Sequence, residues 1–198
     1  MGFGLLLIGY FLTNILPVIS VFSFAMLFGY PLMIAGLYRL APYDKRFYYS
    51  MWCCLPSLAF SLYYTVSGFM AANIIPQIAI FGGTVFFVVE WIYFFYTLAL
   101  NLMILRSVAC FTGEMGLFRV QSNAWRNLTF VLIYHAVYFA IHLPIPFLLS
   151  HGSAFALPVT LLRYLCVLLN LWLFFLCYSH ILPEGSDTTE CKKEERNK

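Results

Sequence analysis

Residues 78 to 105 read IAIFGGTVFFVVEWIYFFYTLALNLMIL, and this stretch decides the fold class because its only charged side chain is Glu90. About 20 consecutive apolar residues are enough for a helix to cross the roughly 30 Å hydrocarbon layer of a bilayer. Arg106 follows the stretch directly and begins a basic segment. The sequence therefore predicts a membrane-spanning helix that ends at a charged membrane surface.

The other basic residues follow the same organisation. Ten of the eleven Lys and Arg residues lie in the segments 39–46, 106–126 and 192–198. Short basic segments resist translocation, so all three are predicted to lie on the cytoplasmic side. The connections 73–77 and 150–157 contain no Lys or Arg. They are predicted to lie outside.

The overall composition agrees with a chain that lies mostly in lipid. Hydrophobic residues make up 63% and charged residues 10%, whereas soluble domains contain about 25% charged residues. We expect one all-α transmembrane domain over residues 1–183, and a disordered cytoplasmic tail over the polar residues 184–198. The net charge of +3 is small and its basic residues lie at span ends. Nucleic-acid binding is therefore not expected.

The lengths of the apolar stretches predict a polytopic bundle with five transmembrane helices. These lie at residues 17–38, 50–72, 78–105, 127–149 and 158–182. A further helix over residues 3–13 would be only about 16 Å long. It is predicted to be re-entrant or interfacial, although six spans are left open. This topology places the N-terminus outside and the C-terminus in the cytoplasm.

The predicted inner surface contains basic and aromatic side chains. Residues 114–125 are predicted to form a short helix on this surface. Arg106, Arg119 and Arg126 are predicted to contact anionic lipid headgroups. Amphipathic rings settle at the headgroup level of a bilayer. The predicted aromatic anchors are Tyr48, Tyr49, Trp52, Trp125 and Tyr178.

A few polar side chains fall inside the predicted spans. Glu90 lies near the middle of its span, where a charge costs about 3 kcal/mol or more, so it is expected to be neutral, paired or facing an aqueous cavity. Tyr93, Thr97 and Asn101 lie on the same helical face. The next span has a similar face, and its polar residues are His135, Tyr138 and His142.

The last predicted span adds Arg163 and Asn170, which are seven residues apart and share a helical face. These faces predict a candidate intramembrane ion or proton site. Its residues are Glu90, Tyr93, His135, His142, Arg163 and Asn170. The alternative is that the polar groups only join helices, for about 0.6 kcal/mol each. Arg163 could equally extend to the outer headgroups, and its pairing with Glu90 is a hypothesis.

Common catalytic and cofactor signatures are missing from the sequence. It contains no HExxH, GxSxG or Walker-type glycine loop. The six cysteines show no CxxC spacing, and disulfides are not expected. We therefore predict no catalytic residue, cofactor or metal site, while a membrane enzyme of another type is left open.

The N-terminal part of the chain resembles uncharacterised multi-span membrane proteins of bacteria. The resemblance lies in Gly2-Phe3, residues 5–10, Gly29-Tyr30-Pro31 and residues 34–40. It implies a location in the bacterial cytoplasmic membrane, and it implies neither an activity nor functional residues.

Two classes of function fit these features. One is a small transporter or channel component with a midplane acidic site at Glu90. The other is a non-catalytic membrane scaffold or accessory subunit of a larger complex. The expected partners are the lipid bilayer, anionic lipids at its inner face, and either further copies of the chain or another membrane protein.

Overall fold

A computed structural model describes residues 2–16, 24–74, 83–143 and 146–181, and the side chains of these residues except for 146–154. Within these ranges the chain forms seven α-helices and no strand. The helices are α1 Gly2–Asn14, α2 Ala25–Leu40, α3 Lys45–Cys54, α4 Ser57–Ala71, α5 Gly83–Glu114, α6 Phe118–Ile141 and α7 Pro146–His180. The predicted tail, residues 184–198, lies outside the described residues.

Three described segments are long and apolar enough to cross a membrane. They are Lys45–Ala71, Gly83–Glu114 and Phe155–His180, and they contain 27, 32 and 26 residues. α1 and α2 are shorter apolar helices. The predicted helical class is confirmed, and the number of five or six crossings stays a prediction.

The predicted span over residues 50–72 consists of two helices, α3 and α4. Asp44 begins α3, because its carboxylate accepts a 2.8 Å hydrogen bond from the backbone N–H of Arg46. Pro56 has no backbone N–H to donate, so the hydrogen-bond ladder is interrupted where α3 gives way to α4.

The predicted surface helix over residues 114–125 is wrong. α5 continues to Glu114, and Gly116 then adopts a φ of 73°, a left-handed conformation that commonly ends helices. α6 begins at Phe118 and continues without interruption into the apolar region. Its buried side chains, Val120, Ala124 and Val131 among them, share one face that continues into the bundle. One face of the first turns of α6 is thus packed, while Phe118, Arg119 and Trp125 are exposed.

The predicted connection over residues 150–157 is helical, and its outer location stays a prediction. These residues belong to α7, which begins at Pro146. Pro158 was the predicted start of the last helix, but it lies inside α7. A proline removes one ladder hydrogen bond and can be accommodated within a transmembrane helix when neighbouring groups satisfy the backbone.

α1 and α2 form a tightly packed antiparallel pair through glycines spaced seven residues apart. A Cβ atom on Gly9 would lie 2.6 Å from the carbonyl oxygen of Gly29, and one on Gly36 would lie 2.8 Å from the backbone nitrogen of Leu6. Only glycine permits this approach of two backbones. Phe3 and Tyr10 on α1 are buried. One face of α1 is therefore packed into the bundle, and whether α1 is re-entrant, interfacial or a sixth span stays a prediction.

The beginning of α1 lies at the end of the bundle that carries the segments 39–46 and 106–126, called here the basic end. The Phe3 ring centroid is 6.0 Å from that of Phe47 and 6.2 Å from that of Phe111. At the same end, Arg46 and Glu114 form a 2.8 Å ion pair. These contacts put the beginning of α1 at the same end of the bundle as two of the basic segments, whereas the five-span prediction puts it at the opposite end. The membrane side on which each terminus lies stays a prediction.

Candidate functional site

A cavity of about 290 Å³ lies within the ring of helices, and six of the seven helices contribute to its walls. The helix without a lining residue is α3. The ionisable and phenolic groups that line the cavity include Tyr10, Glu90, Tyr93, His135, Tyr138 and Arg163. The cavity therefore brings a carboxylate, a guanidinium group and an imidazole together inside an otherwise apolar bundle.

Four of the six predicted site residues line this cavity: Glu90, Tyr93, His135 and Arg163. Asn170 lies next to it and reaches it through a hydrogen bond to Tyr10. His142 is not a lining residue. Its exposed ring stacks on Tyr138 at a centroid distance of 4.2 Å.

The α5 wall of the cavity carries a row of polar side chains. Glu90, Tyr93, Thr97 and Asn101 all line it, and eleven residues of helix correspond to about 16 Å along the axis. Thr97 and Asn101 donate hydrogen bonds of 2.9 and 2.8 Å to carbonyls of their own helix. The row leads from Glu90 towards the basic end of α5.

Three helices meet at the Asn101 end of this row through a chain of hydrogen bonds. The Asn170 amide donates to the Tyr10 hydroxyl at 2.8 Å, and this hydroxyl donates to Oδ1 of Asn101 at 3.1 Å. Asn170 is 1% exposed, and its Oδ1 has no hydrogen-bond partner among the described residues. This chain of hydrogen bonds joins α1, α5 and α7 at the Asn101 end of the polar row.

His135 has a defined hydrogen-bonding role. Its Nδ1 lies 2.8 Å from the carbonyl oxygen of Val131. Because a carbonyl only accepts, Nδ1 carries a proton and donates it, and Nε2 of the neutral ring is then an acceptor. The ring packs against Phe94 at 4.8 Å and Tyr134 at 4.9 Å. His135 thus offers one lone pair for a proton or a donor group.

Tyr93 joins α5 to α2 and α4. Its hydroxyl lies 2.7 Å from that of Tyr30, and its ring packs on Tyr64 at 4.8 Å and Phe60 at 5.3 Å. These contacts hold one aromatic side of the cavity in place.

Glu90 and Arg163 are both exposed and line the same cavity, but they do not form an ion pair with each other. The ion pairs among the described residues join Arg46 to Asp44 and to Glu114. The hypothesised Glu90–Arg163 bridge is therefore not formed. Neither side chain makes a hydrogen bond to the described part of the chain, so both charged groups are available to a ligand.

The predicted lipid contacts are placed on the outside of the bundle. Arg106, Arg119 and Arg126 are exposed. The predicted aromatic anchors Tyr48, Tyr49, Trp52, Trp125 and Tyr178 are exposed by 44 to 60%. Contact of these groups with anionic lipids stays a prediction.

The described residues contain no group of three or more His, Cys, Asp or Glu side chains that could hold a metal ion. The cavity combines single charges, hydroxyls and rings, and this combination is suited to binding and orienting a charged ligand.

Sequence reasoning missed Tyr10, Tyr64 and Tyr134, which also line the cavity. Tyr10 follows Gly9, and the spacing of Gly2 with Gly9 and Gly29 with Gly36 is the signal that could have placed α1 inside the bundle. Comparison with known proteins found no matching family model, no matching curated protein and no matching solved structure.

Proposed function

We propose that this chain is a small transporter or channel component in which Glu90 binds a cation or a proton. The observation that carries the proposal is an unpaired carboxylate lining a cavity that contains an acceptor nitrogen of His135 and a row of hydroxyl and amide groups. Ionisable groups within membrane bundles characteristically mark ion and proton pathways. A polar row of about 16 Å covers roughly half of the hydrocarbon thickness.

We further infer a location in the bacterial cytoplasmic membrane, with the basic end in the cytoplasm. The exposed arginines and the exposed aromatic side chains at one end of the bundle support this orientation. The beginning of α1 would then lie on the cytoplasmic side as well, because Phe3 packs against Phe47 and Phe111.

A second candidate function is that of an accessory subunit or scaffold. An outward-facing apolar groove of about 520 Å³ lies between α1 and α7 and favours it. Its lining residues are Leu7, Ile8, Phe11, Leu168, Leu171, Trp172 and Phe175. Under this reading the cavity has no transport role, and the groove receives a helix of a partner.

Flux measurements on purified protein in liposomes test the first candidate. Entrapped pyranine reports proton entry driven by a potassium diffusion potential, and entrapped sodium- and potassium-sensitive dyes report cation entry. We expect flux for the wild type and its loss in Glu90→Gln, which keeps the shape of the side chain and removes its charge. Glu114→Gln is the matched control, because Glu114 is exposed and pairs with Arg46 away from the cavity.

Equal flux of all three proteins would contradict a role for Glu90. The absence of flux from all three would contradict the transport proposal and leave the accessory-subunit candidate. If the chain is an accessory subunit, another membrane protein should copurify with the wild type. This partner should be lost when Trp172, which lines the groove, is replaced by Ala.

A further inference from the structure

The cavity has a feature that binding of a single cation does not use. Besides Glu90 on α5 it contains Arg163 on α7, which carries the opposite charge. The two groups do not pair with each other, and Arg163 is the one basic residue of the chain outside its three basic segments. Its presence beside an acid site therefore calls for a reason of its own.

Charge compensation supplies that reason. An isolated charge in a region of low dielectric constant is costly unless it is paired. A simple cation would compensate Glu90 but not Arg163, and a simple anion would do the reverse. A ligand with a positive and an acidic group compensates both and adds no net charge to the membrane interior.

Aromatic rings occupy the space around the two charges. Tyr64, Phe94 and Tyr138 line the same cavity as the two charged groups. The Tyr138 ring stacks on Phe94 at 4.9 Å. Aromatic faces attract organic ammonium groups, so the surroundings of Glu90 favour an ammonium group over a hydrated metal ion.

The acidic group of the ligand then belongs at Arg163. A guanidinium group donates parallel hydrogen bonds to a carboxylate or a phosphate and fixes its orientation. The cavity volume of about 290 Å³ lies at the small end of ligand sites, which measure about 300–1,000 Å³. This size suits a molecule of amino-acid dimensions or a lipid headgroup, and it excludes a complete two-chain lipid.

We propose that the cavity binds a zwitterion, with its ammonium group at Glu90 and its carboxylate or phosphate at Arg163. This inference rests on the proposed function and names the substrate class of the same cavity. A free amino acid and the headgroup of phosphatidylethanolamine both carry this pair of charges.

Calorimetric titration of the full chain in nanodiscs tests the charge requirement with three probes of similar shape. L-Leucine is a zwitterion, L-leucinamide carries only the ammonium group, and 4-methylpentanoate carries only the carboxylate. We expect leucine to bind and the two other probes to bind about tenfold more weakly or worse, since each leaves one charge of the cavity unpaired. A second arm measures phosphatidylethanolamine against phosphatidylglycerol retained on the protein by native mass spectrometry.

Two pairs of variants make the test specific. Glu90→Gln and Arg163→Gln should each weaken leucine binding, or phosphatidylethanolamine retention, by about tenfold or more. The matched controls Glu114→Gln and Arg46→Gln remove exposed charges away from the cavity and should bind as the wild type does. Circular dichroism and elution volume verify the fold, and the double variant Glu90→Gln/Arg163→Gln removes both charges so that neither is left uncompensated.

The outcomes separate the two proposals. Leucine binding alone assigns a free zwitterion, and phosphatidylethanolamine retention alone assigns a lipid headgroup. Binding of leucinamide equal to that of leucine, with no effect of Arg163→Gln, overturns the zwitterion while leaving a cation site at Glu90. If neither leucine binding nor phosphatidylethanolamine retention changes in Glu90→Gln and Arg163→Gln, the zwitterion proposal is overturned. A lack of flux in liposomes would overturn the transport proposal separately.

Discussion

The side-chain amide of Asn170 donates a 2.8 Å hydrogen bond to the hydroxyl of Tyr10, joining the last helix to the first across 160 residues of sequence. The hydroxyl in turn donates to Asn101 on α5. Tyr10 also packs edge-on against Phe174 at a centroid distance of 5.3 Å. One phenol therefore connects α1, α5 and α7 beside the cavity.

Replacing Tyr10 with Phe should destabilise the protein by about 1–3 kcal/mol, because the buried Asn170 amide then loses its hydrogen bond to the hydroxyl. The measurement is reversible unfolding in mixed micelles. Tyr38→Phe is the control, because Tyr38 is 67% exposed. Equal stability of both variants would mean that the chain of hydrogen bonds contributes nothing.

Replacing Gly9 with Ala should separate α1 from α2. The new methyl group would lie 2.6 Å from the carbonyl oxygen of Gly29, a backbone atom that cannot rotate away. Overpacking of this kind typically costs about 1–3 kcal/mol. The Gly9→Ala variant should therefore unfold at a lower midpoint than the wild type. A disulfide crosslink between cysteines engineered into α1 and α2 should form in the wild type and be lost in this variant.

Gly4→Ala is the matched control on the same helix. Its methyl group would meet only the ring of Tyr178 at 3.3 Å, and this exposed side chain can move. A Gly4→Ala variant as unstable as Gly9→Ala would show that α1 tolerates no side chain at either position, independent of its contact with α2.

The helical class and much of the candidate site could be predicted from sequence. Helical spacing alone predicts that Glu90 and Tyr93 share one face of α5. This face lines the same cavity as His135 on α6 and Arg163 on α7. Periodicity shows which side chains share a face, but it does not show which neighbour the face meets. For this reason the hypothesised contact of Glu90 with Arg163 could be proposed from sequence but is not formed in the structure.

Two other failures have physical causes. His142 lies seven residues after His135, yet α6 ends at Ile141. The ring of His142 therefore turns towards Tyr138 and Trp91 instead of into the cavity. The length of α1 is short for a span and predicts a re-entrant or interfacial helix, whereas the position of α1 in the bundle depends on the glycine contacts with α2.

Phe47 should be far more important for stability than the ion pair beside it. Its side chain is fully buried and contacts the rings of Phe3 and Phe111, so Phe47→Ala is expected to cost about 3 kcal/mol or more. Arg46→Ala removes the ion pairs with Asp44 and Glu114 and should cost much less than Phe47→Ala, because the guanidinium group is exposed to solvent. Thermal unfolding in detergent measures both, and the reverse order would contradict an aromatic core at the basic end.

Membrane topology can be tested with reporters placed in the full chain. Tags before Gly2 and reporters inserted after Arg46 and Arg126 should all lie on the cytoplasmic side, because Phe3 packs at the basic end. Reporters at Gln77 and Gly152 should lie on the other side. A tag before Gly2 that is accessible only from outside intact cells would contradict this arrangement.

The bond between Tyr10 and Asn170 also sets an order of assembly. During synthesis at about 5–20 residues per second, Asn170 is made roughly 8–32 s after Tyr10. The backbones of α1 and α2 can meet as soon as Gly36 has been made, yet the Tyr10 phenol lacks its α7 partner until nearly the whole chain has been translated. We therefore expect the pair of α1 and α2 to form early, and the hydrogen bond from Asn170 to Tyr10 to form last, when α7 joins the bundle.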